Sequence, residues 1–398
     1  MLAVTGHSED PVSSDAIDEA IDACADALGD RPPVAALLFA GVEHDHQILL
    51  DAVEARYPGL PVVGCSAYGE LSSGGFTEGS VALMMIAGDG VDVGAGLAVD
   101  VVADPAGAGR RAAQAALDTL SGPPRVAIAL AEAFGVDTPA LLGAIGDVVG
   151  PGVPVVGGLA AEPFEQGPTF QFGDRRVVRD GVTVLVLGGP IRVSTGVGSG
   201  WAPTGAEHRV TGVDGLAVTH VDGEPARDVW TRYFGAVELA DAPRLLAVYP
   251  EGEVASPDGT DYYLSTPFAW REDGGLVVGP PIPQGARFRF SDATREQMLS
   301  GAETSVAQAR AGFAGATPDL ALVFSCSGRQ MFLGTQVVRE AEILRETLGA
   351  DVPTVGFYTY GEFCPLPDSD AQCAHSSTFV SVLLGDAPVG DAPVGDAP

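Results

Sequence analysis

The chain has 398 residues, too many for one ordinary core, and 46% of them are hydrophobic, which excludes global disorder. Its formal net charge is -32, with 53 acidic residues against 21 basic ones, all arginine because the sequence holds no lysine. So acidic a surface repels nucleic acid and anionic membranes, and neither is expected as a partner. The charge reads as adaptation to high internal salt, a halophilic surface whose self-repulsion the salt screens.

Five cysteines, an odd and low count, argue against a disulfide framework and for a reducing compartment. Residues 1–11 show neither a basic nor an apolar leader region, and no apolar run reaches the roughly 18 residues of a membrane span. A soluble cytoplasmic protein is the expectation.

In chain order, residues 14–28 place Ile17, Ala20, Ile21, Cys24 and Leu28 on one helical face. A first unit follows: strand 35–40, helix 45–56, strand 61–64 and strand 81–86. Strand 91–99 and helix 106–120 lead to a second unit, with strand 126–130, helix 138–149, strand 153–157 and strand 182–187. The pattern breaks at Gly198-Ser199-Gly200-Trp201, and a domain boundary is placed at residue 203. Beyond it a strand at 217–221 and a helix opened by Pro225 precede short strands near 245–249, 262–266, 276–278 and 288–290, which read as an antiparallel insertion. Ser291 is a candidate cap for a helix over 292–314. A third unit closes the chain: strand 320–326, helix 335–348, strand 352–356 and strand 378–384.

The expected fold class is therefore α/β, two domains of repeated strand-helix-strand units with mixed sheets. The domains are 1–203 and 204–384, with the antiparallel insertion in the second. The Gly-Asp-Ala-Pro-Val repeats of 385–398 have nothing large to bury and read as a disordered tail.

In each unit the strand after the helix carries one phrase: Pro61-Val62-Val63-Gly64, Pro154-Val155-Val156-Gly157 and Pro353-Thr354-Val355-Gly356. Two of the three run on similarly, as Cys65-Ser66-Ala67-Tyr68-Gly69-Glu70 and Phe357-Tyr358-Thr359-Tyr360-Gly361-Glu362, whereas Gly158-Leu159-Ala160-Ala161-Glu162 keeps only an acidic residue. Phe324-Ser325-Cys326-Ser327-Gly328-Arg329 with the Phe357–Glu362 phrase resembles the C-terminal half of the FIST sensory domain. Gly64-Cys65-Ser66 with Gly69-Glu70, and Gly200-Trp201 with Pro203 and Gly205, resemble its N-terminal half and the junction. The resemblance covers roughly 30–385. It implies an intracellular ligand-sensing module of signal transduction, with amino acids or similar small molecules as ligands, haem and nitric oxide in some members, and output to a separate protein such as a histidine kinase or cyclase. The chain departs from the family where Ala67 stands for a hydroxyl residue.

Ligands of open α/β sheets sit beyond the carboxyl ends of strands. That puts Cys326, Ser327, Gly328 and Arg329 at one rim with Gly356, Tyr358, Thr359, Tyr360, Gly361 and Glu362. Arg329 offers a planar fork to a carboxylate, Glu362 accepts from an amine, and the tyrosines add walls. Cys65, Ser66 and Glu70 form the counterpart rim. The alternative is structural: Arg329 and Glu362 pair with each other or cap helices, and the tyrosines pack. Cys326 lacks a local base for thiolate catalysis, so no enzyme is expected. Glu43-His44-Asp45-His46 is the candidate for metal or haem, against a solvated helix start; Cys364, Cys373 and His375 match no zinc spacing.

Overall fold

The computed structural model describes residues 1–164, 167–236, 245–249, 262–365 and 372–387. The first unit is β1 (Leu2–Ser8), α1 (Ser13–Leu28), β2 (Pro33–Gly41), α2 (His46–Arg56), β3 (Val62–Ala67), the hairpin β4 (Glu70–Ser72) and β5 (Gly75–Thr77), and β6 (Val81–Ala87). The second repeats it: β7 (Asp92–Val99), α3 (Pro105–Leu117), β8 (Pro124–Ala131), α4 (Thr138–Val149), β9 (Val155–Leu159), the hairpin β10 (Gln171–Gly173) and β11 (Arg176–Val178), and β12 (Gly181–Gly188).

The third unit opens with β13 (Ile191–Gly198) and is then interrupted. β14 (Ala202–Asp214), β15 (Ala217–Val221), β16 (Glu224–Pro225), α5 (Ala226–Phe234), β17 (Leu245–Tyr249), β18 (Tyr263–Trp270), β19 (Leu276–Gly279) and β20 (Arg287–Asp292) form the insertion. The unit resumes with α6 (Arg295–Ala311), β21 (Leu320–Cys326), α7 (Ser327–Leu333), α8 (Val338–Leu348), β22 (Thr354–Thr359), the short hairpin β23 (Glu362–Phe363) and β24 (Ala374–His375), and β25 (Phe379–Asp386).

The sheets of the three units have one order. In the first, β1-β6-β2-β3 carries β10-β11 of the second unit at its edge. In the second, β7-β12-β8-β9 carries β23-β24 of the third. In the third, β13-β25-β21-β22 carries β4-β5 of the first. Each unit thus lends its hairpin to another's sheet, and the exchange closes in a ring. The middle pairs β2/β3, β8/β9 and β21/β22 are parallel and the outer pairs antiparallel, so the sheets are mixed.

Helices cover the outer face of each sheet, and the three inner faces meet in a common core. There Phe39 stacks on Phe357 with ring centroids 4.7 Å apart. The repeated glycine has a local reason. Gly64, Gly157 and Gly356 stand opposite Leu38, Ala129 and Val323 on the neighbouring parallel strand. A Cβ at any of them would lie 1.9 to 2.0 Å from that partner's carbonyl oxygen.

The insertion has its own apolar core, and pairing of β14 with both β20 and β15 closes it into a barrel. A division at 203 cuts through the third sheet, because β13 pairs with β25 along its whole length. Gly385 and Asp386 belong to β25 rather than to a tail, since they pair with Arg192 and Ile191; 388–398 lie outside the described residues. Ser291 sits in β20, paired with Pro203 and Leu245, so the cap of α6 is Thr294, in a reciprocal capping box with Gln297. Ser327–Arg329 open a further helix, α7, between the expected strand 320–326 and the helix expected at 335–348.

Candidate functional site

The three phrases converge at one end of the common core, where three matching backbone hydrogen bonds join the units. Tyr68 N donates to Tyr358 O, Ala161 N to Ser66 O and Tyr360 N to Leu159 O. Beside them Tyr358 N donates to Gly69 O, Leu159 N to Gly361 O and Ser66 N to Phe170 O. These bonds equate Gly69, Gly361 and Phe170, and therefore equate Glu70, Glu362 and Gln171. Residues 162–169 are an insertion in the second unit with no counterpart in the others.

Each equated side chain ties down the start of its unit's last strand. Glu70 accepts from the backbone N–H and hydroxyl of Ser80, and Glu362 from those of Thr378 plus the Thr359 hydroxyl. Gln171 accepts from Gly181 N. The acidic residue of the second phrase, Glu162, is thus not the counterpart of Glu70 and Glu362. Burial pushes the Glu70 carboxyl up to about 8 and that of Glu362 to about 7, against the hydrogen bonds that favour ionisation.

Arg329 is fully buried and committed. Its guanidinium pairs with Glu340 at 2.7 Å and donates to the carbonyls of Ser199 and Met298. Glu340 also accepts from Ser325 and from the Tyr358 hydroxyl. Arg329 and Glu362 do not pair, and neither faces the rim. Cys326, Ser327, Tyr358, Thr359, Cys65 and Ser66 are buried as well; Ser66 donates to Ala161 O and accepts from Phe170 N. Burial pushes the Cys65 and Cys326 thiols well up, which opposes a nucleophilic thiolate. Gly328 lies against Cys326 Sγ, and Gly356 fills its packing place in β22. Gly328 is exposed to solvent at the start of α7 but lines no cavity with the others; of the expected residues, Tyr360 and Gly361 line an open space.

That space is a cavity of about 490 Å³ between the second unit, the β23–β24 hairpin and the barrel. Its mouth carries exposed Phe134, Phe164 and Phe268. Phe134 and Phe164 pack on the Tyr360 ring, with centroids 5.6 Å and 5.0 Å away. The Tyr360 hydroxyl donates to Glu162 Oε1 and accepts from Phe164 N. His375 and Thr138 also line it, and Thr138 Oγ1 is buried without a hydrogen-bond partner among the described residues. His375 Nε2 donates to Cys364 O at 2.8 Å, and burial lowers the ring to about 4. The ring is neutral near pH 7, with Nδ1 left as an acceptor. Phe134, Phe164 and Phe268 carry no sequence signal for this site, and Glu162 and His375, noted in the sequence as a kept acidic residue and a residue matching no zinc spacing, join it only in the fold; the signal available was the greater length between phrase and next strand in the second unit.

His44 lies 3.3 Å from Ser13 Oγ and 3.2 Å from Gly79 O, and His46 Nε2 lies 3.0 Å from Gly41 O, so both rings serve structure. Asp45 caps α2. Among the described residues, no group of three or more His, Cys, Asp or Glu side chains is placed to hold a metal ion, and no helix is long and apolar enough to cross a membrane.

Family models of the FIST N domain and the FIST C domain match residues 34–224 and 226–365. The chain belongs to the FIST family. FIST domains are associated with sensing in signal transduction. An uncharacterised protein of Mycobacterium tuberculosis is 27% identical over 230 residues, 56% of this chain and 58% of that protein. An uncharacterised protein of Mycobacterium bovis is 26% identical over 227 residues, with the same shares. The chain thus spans under two thirds of the length of the curated relatives it matches. A cyanuric acid hydrolase from A. caulinodans overlays 97% of the chain and 99% of its own at 11% identity and a TM-score of 0.39.

Proposed function

We propose that this FIST protein is a cytoplasmic ligand sensor whose binding site is the cavity between the second unit, the β23–β24 hairpin and the barrel. The observation that carries the reading is the placement of Tyr360 and Gly361, from the phrase shared with the family, on a cavity walled by three separate parts of the chain. A molecule of amino-acid size that touches all three favours one arrangement of barrel and hairpin over another, which is what a sensor requires. A signalling partner, a histidine kinase or a cyclase, reads that arrangement.

Haem fits this cavity poorly. Among the described residues its one histidine, His375, spends Nε2 on Cys364 O, and no arginine lines it to hold propionates. A thiol enzyme lacks support, since the Cys326 thiol is buried and pushed up.

Isothermal titration and thermal shift across small amines, amino acids, organic acids and haem test the reading, at high and low salt. A ligand found this way should lose binding when Ala269, exposed at the cavity, is changed to Trp. Undiminished binding by Ala269→Trp would move the site elsewhere.

A further inference from the structure

Among the described residues, the polar side chains at the cavity carry no positive charge. Glu162 brings a carboxylate and His375 a neutral imidazole whose Nδ1 accepts, while the Thr138 hydroxyl oxygen is sealed from the open space. The Tyr360 hydroxyl spends its proton on Glu162. Among the described residues no arginine lines the space, and the sequence has no lysine that could. Rings make up much of the rest of the wall: Phe134, Phe164, Phe268 and Tyr360. Ring faces attract cations, and a carboxylate beside them adds charge and direction. A net charge of -32 concentrates cations at the surface and repels anions.

From this we infer that the ligand is an organic cation, a protonated amine on an aromatic or aliphatic body, and not a zwitterion or an acid. The ammonium sits between Glu162 and the Phe134, Phe164 and Tyr360 rings, donating to the Glu162 carboxylate. The apolar body lies against Leu159 and the barrel residues Val277 and Val278. A free amino acid would bring a carboxylate next to Glu162, into a space that offers it no cationic side chain among the described residues, and leave it unpaired. The inference rests on the sensor reading for the location of the site and adds the charge of its ligand.

The test is titration calorimetry on the full chain with three probes of one shape: phenethylamine, 2-phenylethanol and 3-phenylpropanoate. Phenethylamine should bind at least about tenfold more tightly than the alcohol, the scale of one charge-assisted contact, and the carboxylate should not bind. Glu162→Gln keeps an acceptor for the Tyr360 hydroxyl and should remove about tenfold from amine affinity while leaving the alcohol unchanged. Phe134→Leu, at an exposed site and with an apolar side chain kept against Tyr360, should weaken the amine more than the alcohol. Equal affinity for alcohol and amine, tighter binding of the carboxylate, or no binding of the amine would overturn the inference. Carboxylate binding that Ala269→Trp abolishes would overturn the cation while sparing the site; amine binding that Ala269→Trp leaves intact would overturn the site.

Discussion

Two buried carboxyl groups and one buried guanidinium look alike in the sequence and behave differently in the fold. Glu70 and Glu362 are held above their unfolded values, so the folded state binds protons that the unfolded chain has released. Their contribution to stability is complete below about pH 4 and is lost as pH rises toward about 7 for Glu362 and about 8 for Glu70. The second unit already carries an amide, Gln171, at the equivalent place. Glu70→Gln and Glu362→Gln should therefore fold, and should flatten the fall of Tm between about pH 5 and 8, measured by calorimetry. An unchanged pH profile would mean that both groups stay ionised throughout. His46 and His375 act in the opposite sense: each is held down at about 4, so stability falls as pH drops below about 6.5. Arg329→Ala should cost about 3–5 kcal/mol by denaturant titration, because it strands the Glu340 carboxylate in the core. Retained stability with a specific loss of ligand affinity would restore Arg329 to the site.

At the scale of elements, the repeated phrase was legible because its glycine answers a local constraint. Gly157→Ala would drive a methyl group against the Ala129 carbonyl and should abolish soluble folded protein or cost several kcal/mol. Gly143, on the exposed side of α4, has nothing within 4 Å of the place a Cβ would take, and Gly143→Ala should stabilise the fold by about 0.5–1 kcal/mol. A comparison of the two midpoints in urea checks both. The parallel strands and most helices also followed from apolar runs and helical spacing. The hairpins did not. β4, β10 and β23 are two or three residues long and pair outside their own units, so no local periodicity marks them. Arg329 and Glu340 were unreadable for a similar reason, since their burial depends on β13, α6 and α8 closing over them. Tyr360 was legible from its phrase, but its cavity depends on Glu162, Phe164 and Gly167 of the second unit and on a barrel whose approach no residue pattern announces.

Over the whole molecule, the ring of exchanged hairpins means that no sheet is complete without a neighbour. The three units should therefore unfold as one cooperative body, while the barrel, with its own core, is the candidate for a separate transition. Trp230 and Trp270 lie in that barrel, and in a Trp201→Phe variant, which removes the indole buried in the third unit's core, they alone report on it. Their fluorescence in urea should depart from far-UV circular dichroism if the barrel melts separately; coincident curves would show one cooperative unit. With a net charge of -32, raising salt from about 0.05 M to 1 M should raise Tm by screening self-repulsion. The most direct measurement of the central claim is a crystal structure with 4-bromophenethylamine, read by the anomalous signal of bromine. A peak inside the cavity walled by Phe134, Phe164 and Phe268, with the amine nitrogen against Glu162, is the predicted result. A peak elsewhere, with that cavity empty, would contradict it.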